Sequence, residues 1–310
     1  MAKREARAGW AFLSPTLVIV LVVVILPMLW TIMLAFQDIH LINIRSAGVF
    51  GSYSLDNLRQ VLSSPDFRAA LETTLFYTIF GTIFSIGVGL VAALVVRRPF
   101  RGRSAVRGIM LLPYVAPVVA MTFVWQIMLN PQFGIVNHYG ISIFGWHHAI
   151  PFLSEQTGKL SLFGWHLSVP TALITVIVFE TWRYFPFSFL FILARLQAMP
   201  ADLEEAARVD GATPTQRFGY VIWPQLRPVI AMLAVLRFIW TFNKFDDVYL
   251  LTGGGAGTEV ASVRVYHLLT AQGNVGASAA QAAVLAVVLV ICLAIYFIFF
   301  GRKVGLGDPT

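Results

Sequence analysis

Hydrophobic residues occur along the chain in long runs, and most of the charged residues lie between these runs. A helix that crosses a bilayer needs about 20 mainly apolar residues. Six runs meet this length, so the pattern predicts six transmembrane helices. They cover residues 10–36, 70–96, 109–129, 169–193, 228–251 and 278–300, with the fifth expected to leave the membrane near Phe242.

The composition places the chain in the class of integral membrane proteins. Of its 310 residues, 58% are hydrophobic and only 12% are charged, whereas soluble domains carry about 25% charged residues. This excludes an ordinary soluble enzyme, and the high hydrophobicity excludes a disordered chain. Cys292 is the single cysteine, so no intrachain disulfide can form.

The first apolar run follows Lys3, Arg4 and Arg7, as the core of a signal peptide would. It is longer than the roughly 7–15 residues of such a core, and no small-residue cleavage site follows it. We therefore expect a retained first helix, with a kink at Pro27 because proline removes a backbone hydrogen bond.

The basic residues predict the orientation. If the N-terminus is inside, 14 of the 22 Lys and Arg lie in inside segments and 6 in outside loops. Because inside loops are enriched in these residues, six helices with both termini in the cytoplasm are predicted. The same distribution along a membrane edge argues against nucleic-acid binding.

The segment between the fourth and fifth runs, residues 199–224, reads MPADLEEAARVDGATPTQRFGYVIWP. Asp202 with Glu205 has the spacing of a capping box, and Gly211 is a typical helix end. These residues predict a first short helix on the cytoplasmic side.

A second helix is predicted directly after this turn. Thr213 is expected as its N-cap, with Pro214 at the first helical position and Gln216 two residues later. Pro224 is expected to end it. From the residues alone, the resulting helix–turn–helix is equally typical of an amphipathic connector that rests on lipid headgroups.

This segment resembles the EAA loop of ABC importer permeases. The matching residues are Glu205-Ala206-Ala207, Gly211 after three residues, and Val221-Ile222-Trp223-Pro224 after nine more; valine and tryptophan depart from the family's I-x-L-P ending. Weaker motifs resemble the carbohydrate-uptake subgroup, which includes maltose and glycerol-phosphate permeases, and they occur in the same order as in that subgroup. They are Phe12-Leu13-Ser14-Pro15, Asp56-Asn57-Leu58, Arg101-Gly102-Arg103, Asn130-Pro131 and Leu251-Thr252-Gly253-Gly254-Gly255.

The resemblance implies an all-α permease subunit whose cytoplasmic loop docks on a separate ATPase. The implied partners are a second homologous permease chain, an ATPase dimer that binds ATP and Mg²⁺, an extracytoplasmic solute-binding protein and membrane lipid. This chain itself would hold no cofactor or metal. The residues that the resemblance assigns to ATPase coupling are Asp202, Glu205, Ala206, Ala207, Asp210, Gly211 and Pro224.

Charged residues inside the predicted spans suggest a substrate pathway. A charge at the bilayer centre costs about 2.5–3.5 kcal/mol on insertion scales, so such residues line a cavity or pair internally. Aromatic rings beside hydrogen-bonding groups suit a sugar, so a pathway between spans four and five is one hypothesis. A structural Glu180–Arg183 ion pair on one helix face is the other. The candidate pathway residues are Glu180, Trp182, Arg183, Tyr184, Phe187 and Arg237.

Other polar groups give no catalytic set. His138, His147, His148 and His166 share a loop without metal-ligand spacing. Asp246-Asp247 could bind a cation, but the favoured expectation is that the pair is solvated at the outer end of span five. The chain lacks the Walker A motif of ATPases. Two alternatives to an ABC permease are an ion-coupled secondary transporter with Glu180 as the carrier and, less favoured, a membrane-embedded enzyme.

The predicted organisation has three parts in a multi-pass protein of the cell (inner) membrane. Residues 1–69 form the first helix and outer loop. Residues 70–301 form the permease core, with the coupling loop at 199–224, and residues 302–310 form a cytoplasmic tail.

Overall fold

The structure is a computed structural model that describes residues 2–162 and 165–300. The predicted tail, 302–310, lies outside these residues. The fourteen helices of the described part are α1 Ala2–Val20, α2 Leu26–Leu34, α3 Asp56–Ser63, α4 Pro65–Val96, α5 Arg103–Val115, α6 Val118–Met128, α7 Ile135–Ser142, α8 Thr171–Gln197, α9 Ala201–Val209, α10 Pro214–Arg217, α11 Trp223–Phe242, α12 Asp246–Thr252, α13 Ala261–Thr270 and α14 Val275–Phe300.

Shorter elements join or extend these helices. π-Helical segments lie at Leu21–Ile25 and Phe218–Ile222, and a 3-10 helix covers Leu41–Ser46. Two antiparallel strands, β1 (Gly158–Leu162) and β2 (Trp165–Val169), pair Gly158 with Val169 in a loop for which the sequence predicted no regular structure.

Five helical segments are long and apolar enough to cross a membrane, and a bent pair provides a sixth. The continuous segments are Phe12–Leu34, Pro65–Val96, Thr171–Gln197, Pro214–Phe242 and Val275–Phe299. The predicted all-helical membrane fold is therefore confirmed, with six spans when the bent pair is counted as one. The third span is the exception to simple continuity.

The third span consists of α5 and α6, which meet at an angle of 96°. Ala116 lies between them in an extended conformation (φ −66°, ψ 144°). The physical reason is Pro117, because a proline disfavours helical geometry in the residue before it and donates no backbone hydrogen bond.

The fifth span is longer than predicted because Pro224 does not end a helix. α10, the π-helical segment Phe218–Ile222 and α11 continue from Pro214 to Phe242, and Pro224 lies in the first turn of α11. Pro27 in α2 likewise follows the π-helical segment Leu21–Ile25. A wider helical turn before a proline relieves the contact of its ring with the preceding turn's carbonyl. The coupling loop is therefore continuous with a membrane span.

The chain divides into two compact units. The first contains the described residues up to Arg68 together with Arg264–Val288. In it, the Asn57 side-chain amide donates to the carbonyl oxygens of Ala35 (3.2 Å) and Gln37 (2.8 Å). The amide of Gly276 donates to the carbonyl of Ile39 at 2.9 Å. These bonds hold the segment after α2 against α3 and the start of α14.

The second unit contains Ala69–Val263 and the described residues from Leu289 on. It has two hydrophobic clusters, one around Val96, Phe189 and Leu226 and one around Phe179 and Val248. α8 contributes to both clusters and carries polar residues on the stretch between them. The polar site described below is therefore held between two apolar cores.

Glycines let α4 approach α8 closely. A Cβ atom at Gly89 would lie 2.7 Å from Cβ of Ser188 and 2.8 Å from the backbone nitrogen of Phe189. A Cβ atom at Gly81 would lie 3.1 Å from Cγ of Glu180. Small residues at such positions allow helices in membranes to pack with short interaxial distances.

Candidate functional site

Glu180 on α8 is fully buried and accepts hydrogen bonds from three other side chains. The hydroxyl of Tyr77 on α4 donates to Oε2 at 2.9 Å. The hydroxyl of Thr241 on α11 donates to Oε1 at 2.9 Å, and Nη2 of Arg237 donates to the same oxygen. The carboxylate thus joins three helices.

Arg237 on α11 is also fully buried and pairs with Glu180. Its Nε donates to Oγ of Ser85 on α4 at 3.4 Å, and its guanidinium carbon lies 4.5 Å from the ring centre of Tyr184. The ion pair therefore forms between α8 and α11. The alternative pair from the sequence, Glu180 with Arg183, is wrong, because α11 places Arg237 against Glu180.

Arg183 instead stabilises the bend of the third span. Its guanidinium donates to the carbonyl oxygens of Pro113 (3.4 Å) and Ala116 (3.1 Å), and its Nε donates to the hydroxyl of Tyr184 at 3.3 Å. The last carbonyls of a helix have no partner within the helix and carry partial negative charge. The Arg183 guanidinium donates hydrogen bonds to these carbonyls, and its positive charge balances their partial negative charge.

Two charged residues that the sequence did not assign to the site complete this polar cluster. Nζ of Lys244 donates to the Tyr184 hydroxyl at 2.6 Å and lies 3.7 Å from Oδ2 of Asp247. Oδ1 of Asp247 lies 3.9 Å from Nε of Arg183. We call Tyr77, Glu180, Arg183, Tyr184, Arg237, Thr241, Lys244 and Asp247 the buried polar cluster.

The expectation that Asp246-Asp247 is solvated is correct for Asp246 and wrong for Asp247. The Asp246 side chain is 48% exposed, whereas that of Asp247 is fully buried. The reason is that α12 packs against α6 and α8 and turns Asp247 towards them. No local sequence pattern distinguishes Asp247 from Asp246, since both precede the glycine-rich segment that begins at Gly253.

Asp247 and Lys244 lie beyond the end of the fifth span, and their proton affinities are shifted. Burial and the nearby Glu180 carboxylate raise the pKa of Asp247 to about 8, against the opposing charge of Lys244. Burial alone would lower the pKa of Lys244, but the charges of Glu180 and Asp247 outweigh it and raise that pKa. At neutral pH, Lys244 is charged and Asp247 is mainly protonated.

Aromatic rings form a surface next to this cluster. We call Tyr114, Tyr184, Phe187 and Trp240 the aromatic surface. The ring of Tyr114 lies 6.1 Å from Tyr184 and 6.0 Å from Phe187, and Phe187 lies 5.0 Å from Trp240. Tyr114 and Trp240 remain 38% and 43% exposed. The surface thus presents aromatic faces beside the Lys244 ammonium group.

Trp182 lies apart from these rings. It packs against Trp125 of α6 (5.6 Å) and Phe179 (6.1 Å) in a hydrophobic cluster. Of the six predicted pathway residues, the structure brings Glu180, Arg183, Tyr184 and Arg237 together in the polar cluster and places Phe187 on the aromatic surface. Tyr114 and Trp240 were missed because the rings that they contact are distant in sequence, and Lys244 because the Tyr184 hydroxyl that it binds is 60 residues away.

The coupling loop contains the two predicted helices, with one difference. α9 begins after Pro200 without a side-chain cap, so the capping box predicted for Asp202 and Glu205 is wrong. Proline sets the entry geometry there instead. The predicted turn is confirmed, since Gly211 has φ +77°.

The predicted start of the second helix is confirmed in detail. The hydroxyl of Thr213 accepts from the Gln216 amide at 3.3 Å, and the Gln216 side chain accepts from the Thr213 amide at 2.8 Å. Pro214 occupies the first turn. Of the predicted coupling residues, Ala207 is half-buried. The others are exposed: Asp202, Glu205, Ala206, Asp210, Gly211 and Pro224.

The chain is similar to known transport proteins over most of its length. The family model for the inner membrane component of binding-protein-dependent transport systems matches residues 85–305. The Escherichia coli inner membrane ABC transporter permease protein YcjO is 34% identical over 89% of this chain and 88% of its own length. The trehalose/maltose transport system permease protein MalF of Thermococcus litoralis is 31% identical over 96% and 95%.

Two further similarities agree with this. The sn-glycerol-3-phosphate transport system permease protein UgpA of Agrobacterium fabrum is 30% identical over 82% of both chains. The crystal structure of a bacterial ABC transporter involved in the import of the acidic polysaccharide alginate contains a chain with the same fold, with a TM-score of 0.80, 22% identity and 96% of both chains covered. The chain belongs to the binding-protein-dependent transport system inner membrane components, the permease subunits of ABC importers.

Proposed function

We propose that this permease imports a carbohydrate or a related solute, and that it forms half of the translocation pathway with a second homologous permease. An ATPase dimer would drive it from the cytoplasm, and an extracytoplasmic binding protein would deliver the substrate. The observation that carries this proposal is the exposed side of α9 in a loop that is capped at Thr213 and continues into a membrane span.

The loop has the properties that ATPase docking requires. Glu205 and Ala206 are exposed on α9, so a carboxylate and a small side chain can meet a partner surface. Gly211 provides a tight turn, and the capping box at Thr213 makes the next helix stiff. Because α10 to α11 is continuous, displacement of the loop would move the fifth span and allow alternating access.

The aromatic surface supports a carbohydrate substrate. Aromatic faces pack on the C–H face of a sugar ring, and neighbouring polar groups bind its hydroxyls. Lys244 adjoins these rings, and Asn243 is exposed beside it. Relatives are named for trehalose and maltose and for glycerol 3-phosphate. Glu180 and Arg237 would position this surface from behind, since both are fully buried.

The substrate surface is tested by removing its rings. Trp240→Ala and Phe187→Ala, in vesicles containing the full transporter, are expected to raise the KM for uptake about tenfold, because each loses roughly 1–1.5 kcal/mol of ring contact. Phe123→Ala removes an exposed ring on α6 and serves as the control. Unchanged KM in both surface variants would remove the aromatic surface from the pathway.

The coupling surface is tested at Glu205. Glu205→Ala is expected to reduce the amount of ATPase that copurifies and the ATP hydrolysis that substrate stimulates. Glu72→Ala is the control, because it makes the same substitution at an exposed position near the N-terminal end of α4. If Glu205→Ala behaves as Glu72→Ala does, the exposed side of α9 is not the docking surface.

A further inference from the structure

Two neighbouring glutamates of α9 differ in exposure. Glu205 is exposed, as a residue available to a partner protein would be. Glu204 turns inward, and its side chain is only 20% exposed. The family resemblance assigns a role to Glu205 alone, so the role of Glu204 has to come from its contacts.

Glu204 forms a two-pronged ion pair with Arg97. Nη1 of Arg97 lies 2.7 Å from Oε1 of Glu204, and Nη2 lies 3.0 Å from Oε2. The Arg97 side chain is 19% exposed. Two parallel hydrogen bonds between a guanidinium and a carboxylate fix the orientation as well as the distance of the two groups. The pair therefore holds α9 in a defined position.

The arginine is placed at the end of a long helix. Arg97 directly follows Val96, the last residue of α4, and Val96 is buried in the hydrophobic cluster that includes Leu226. Twenty residues earlier on α4, Tyr77 donates to Glu180. At 1.5 Å per residue, this separation is about 30 Å. α4 thus connects the coupling loop to the buried polar cluster.

We propose that Arg97 and Glu204 transmit the movement of α9 to α4, so that ATPase-driven displacement of the coupling loop repositions Tyr77 and Ser85 at the buried polar cluster. The inference rests on the proposed docking of α9 to the ATPase. Both residues act as positioning residues, because neither contacts ATP or substrate. The loop then moves two spans, α11 through the backbone and α4 through this ion pair.

A purely stabilising ion pair is the competing explanation. Partly exposed pairs contribute about 0.2–1 kcal/mol to stability, and their loss would lower the melting temperature without changing the ratio of uptake to ATP hydrolysis. Arg98, Arg208, Arg217 and Glu205 line the same cavity as the pair, so Glu204 also offsets local positive charge. The ratio of uptake to hydrolysis separates these roles.

The experiment uses the full transporter in vesicles with its binding protein. Glu204→Gln and Arg97→Lys are expected to retain the ATPase and its hydrolysis, while substrate transported per ATP falls about fivefold or more. Arg97→Lys keeps the charge but loses the two-pronged geometry. Restoration by the reversed pair, Arg97→Glu with Glu204→Arg, to at least half the wild-type ratio would support direct transmission.

Matched controls are the adjacent residues. Arg98→Gln changes an exposed arginine next to Arg97 and is expected to leave the ratio unchanged. Glu205→Gln is expected to reduce ATPase binding instead, so failure of the docking proposal appears as wild-type behaviour of that variant. Wild-type transport per ATP in Glu204→Gln and Arg97→Lys would overturn the inference, even if the reversed pair does not accumulate.

Discussion

The coupling loop and the buried polar cluster use charge in opposite ways. In the coupling loop, Asp202, Glu205 and Asp210 are exposed. In the cluster, Glu180 and Arg237 are fully buried. Exposed charges cost little and remain available to a partner, whereas buried charges need several partners within the same fold. The first region is suited to docking and the second to fixing helices against each other.

This difference separates helix anchoring from docking within one permease. The polar cluster fixes α4, α8 and α11 through Glu180 and Arg237. The coupling loop is held by the capping box at Thr213, by continuity with α11 and by Arg97–Glu204. Substitutions in the cluster should therefore affect stability, and substitutions on the exposed side of α9 should affect function.

The largest effect is expected at the buried ion pair. Arg237→Ala leaves the Glu180 carboxylate buried without its cation, which typically costs about 3–5 kcal/mol. Strongly reduced abundance in the membrane and a lower Tm are expected. Glu205→Ala removes an exposed charge and should change stability by only about 0.5 kcal/mol or less. Equal Tm values for the two variants would contradict the contrast.

A smaller effect is expected where α4 meets α8. Gly89→Ala places a methyl group against Ser188 and the backbone of Phe189, and such overpacking typically costs about 1–3 kcal/mol. Gly87→Ala is the control, because no atom beyond its chain neighbours and the adjoining helix backbone lies within 4 Å of the added carbon. Thermal unfolding of the purified protein measures both. A Gly89→Ala variant as stable as Gly87→Ala would argue against this close approach.

The pH dependence of stability tests the buried location of Asp247. Its pKa in the folded protein, about 8, exceeds the ordinary value of 3.8. The folded state thus binds the proton of Asp247 more tightly than the unfolded state does. The resulting stabilisation is complete below about pH 4 and decreases as the pH rises towards 8.

Between pH 5 and pH 8, the Tm of Asp247→Asn is therefore expected to fall less than that of the wild type. Each kcal/mol of unfolding free energy that the wild type loses corresponds to about 2–4 °C of Tm. Asp246→Asn, at the half-exposed neighbour, should follow the wild-type curve. A wild-type pH curve in the Asp247→Asn variant would show that this carboxyl does not titrate in that window.

The smallest effect is expected in the coupling loop. Thr213→Ala removes the N-cap of α10 and should destabilise that helix locally by about 1 kcal/mol. Amide hydrogen exchange within residues 214–217 should become faster while the Tm changes little. Thr215→Ala, two residues later and exposed, is the control. Equal exchange in both variants would show that the cap does not stiffen the loop.

The spans and the second loop helix follow from local patterns. Apolar length indicates the membrane helices, and Thr213 with Gln216 has the spacing of a capping box. Such features are local because a helix and its cap involve residues within a few positions. The same reasoning was wrong at Asp202, where α9 begins after Pro200, and at Pro224, where a π-helical segment accommodates the ring.

The sequence by itself determined that this chain is a six-span membrane protein with a two-helix loop before the fifth span, because hydrophobicity and capping act over short distances. Only the tertiary structure decided that Glu180 pairs with Arg237, that Asp247 is buried and that Arg97 binds Glu204. Glu180 and Arg237 are 57 residues apart, and Arg97 and Glu204 are 107 residues apart. Which charges meet depends on how the helices pack, and no local spacing encodes it.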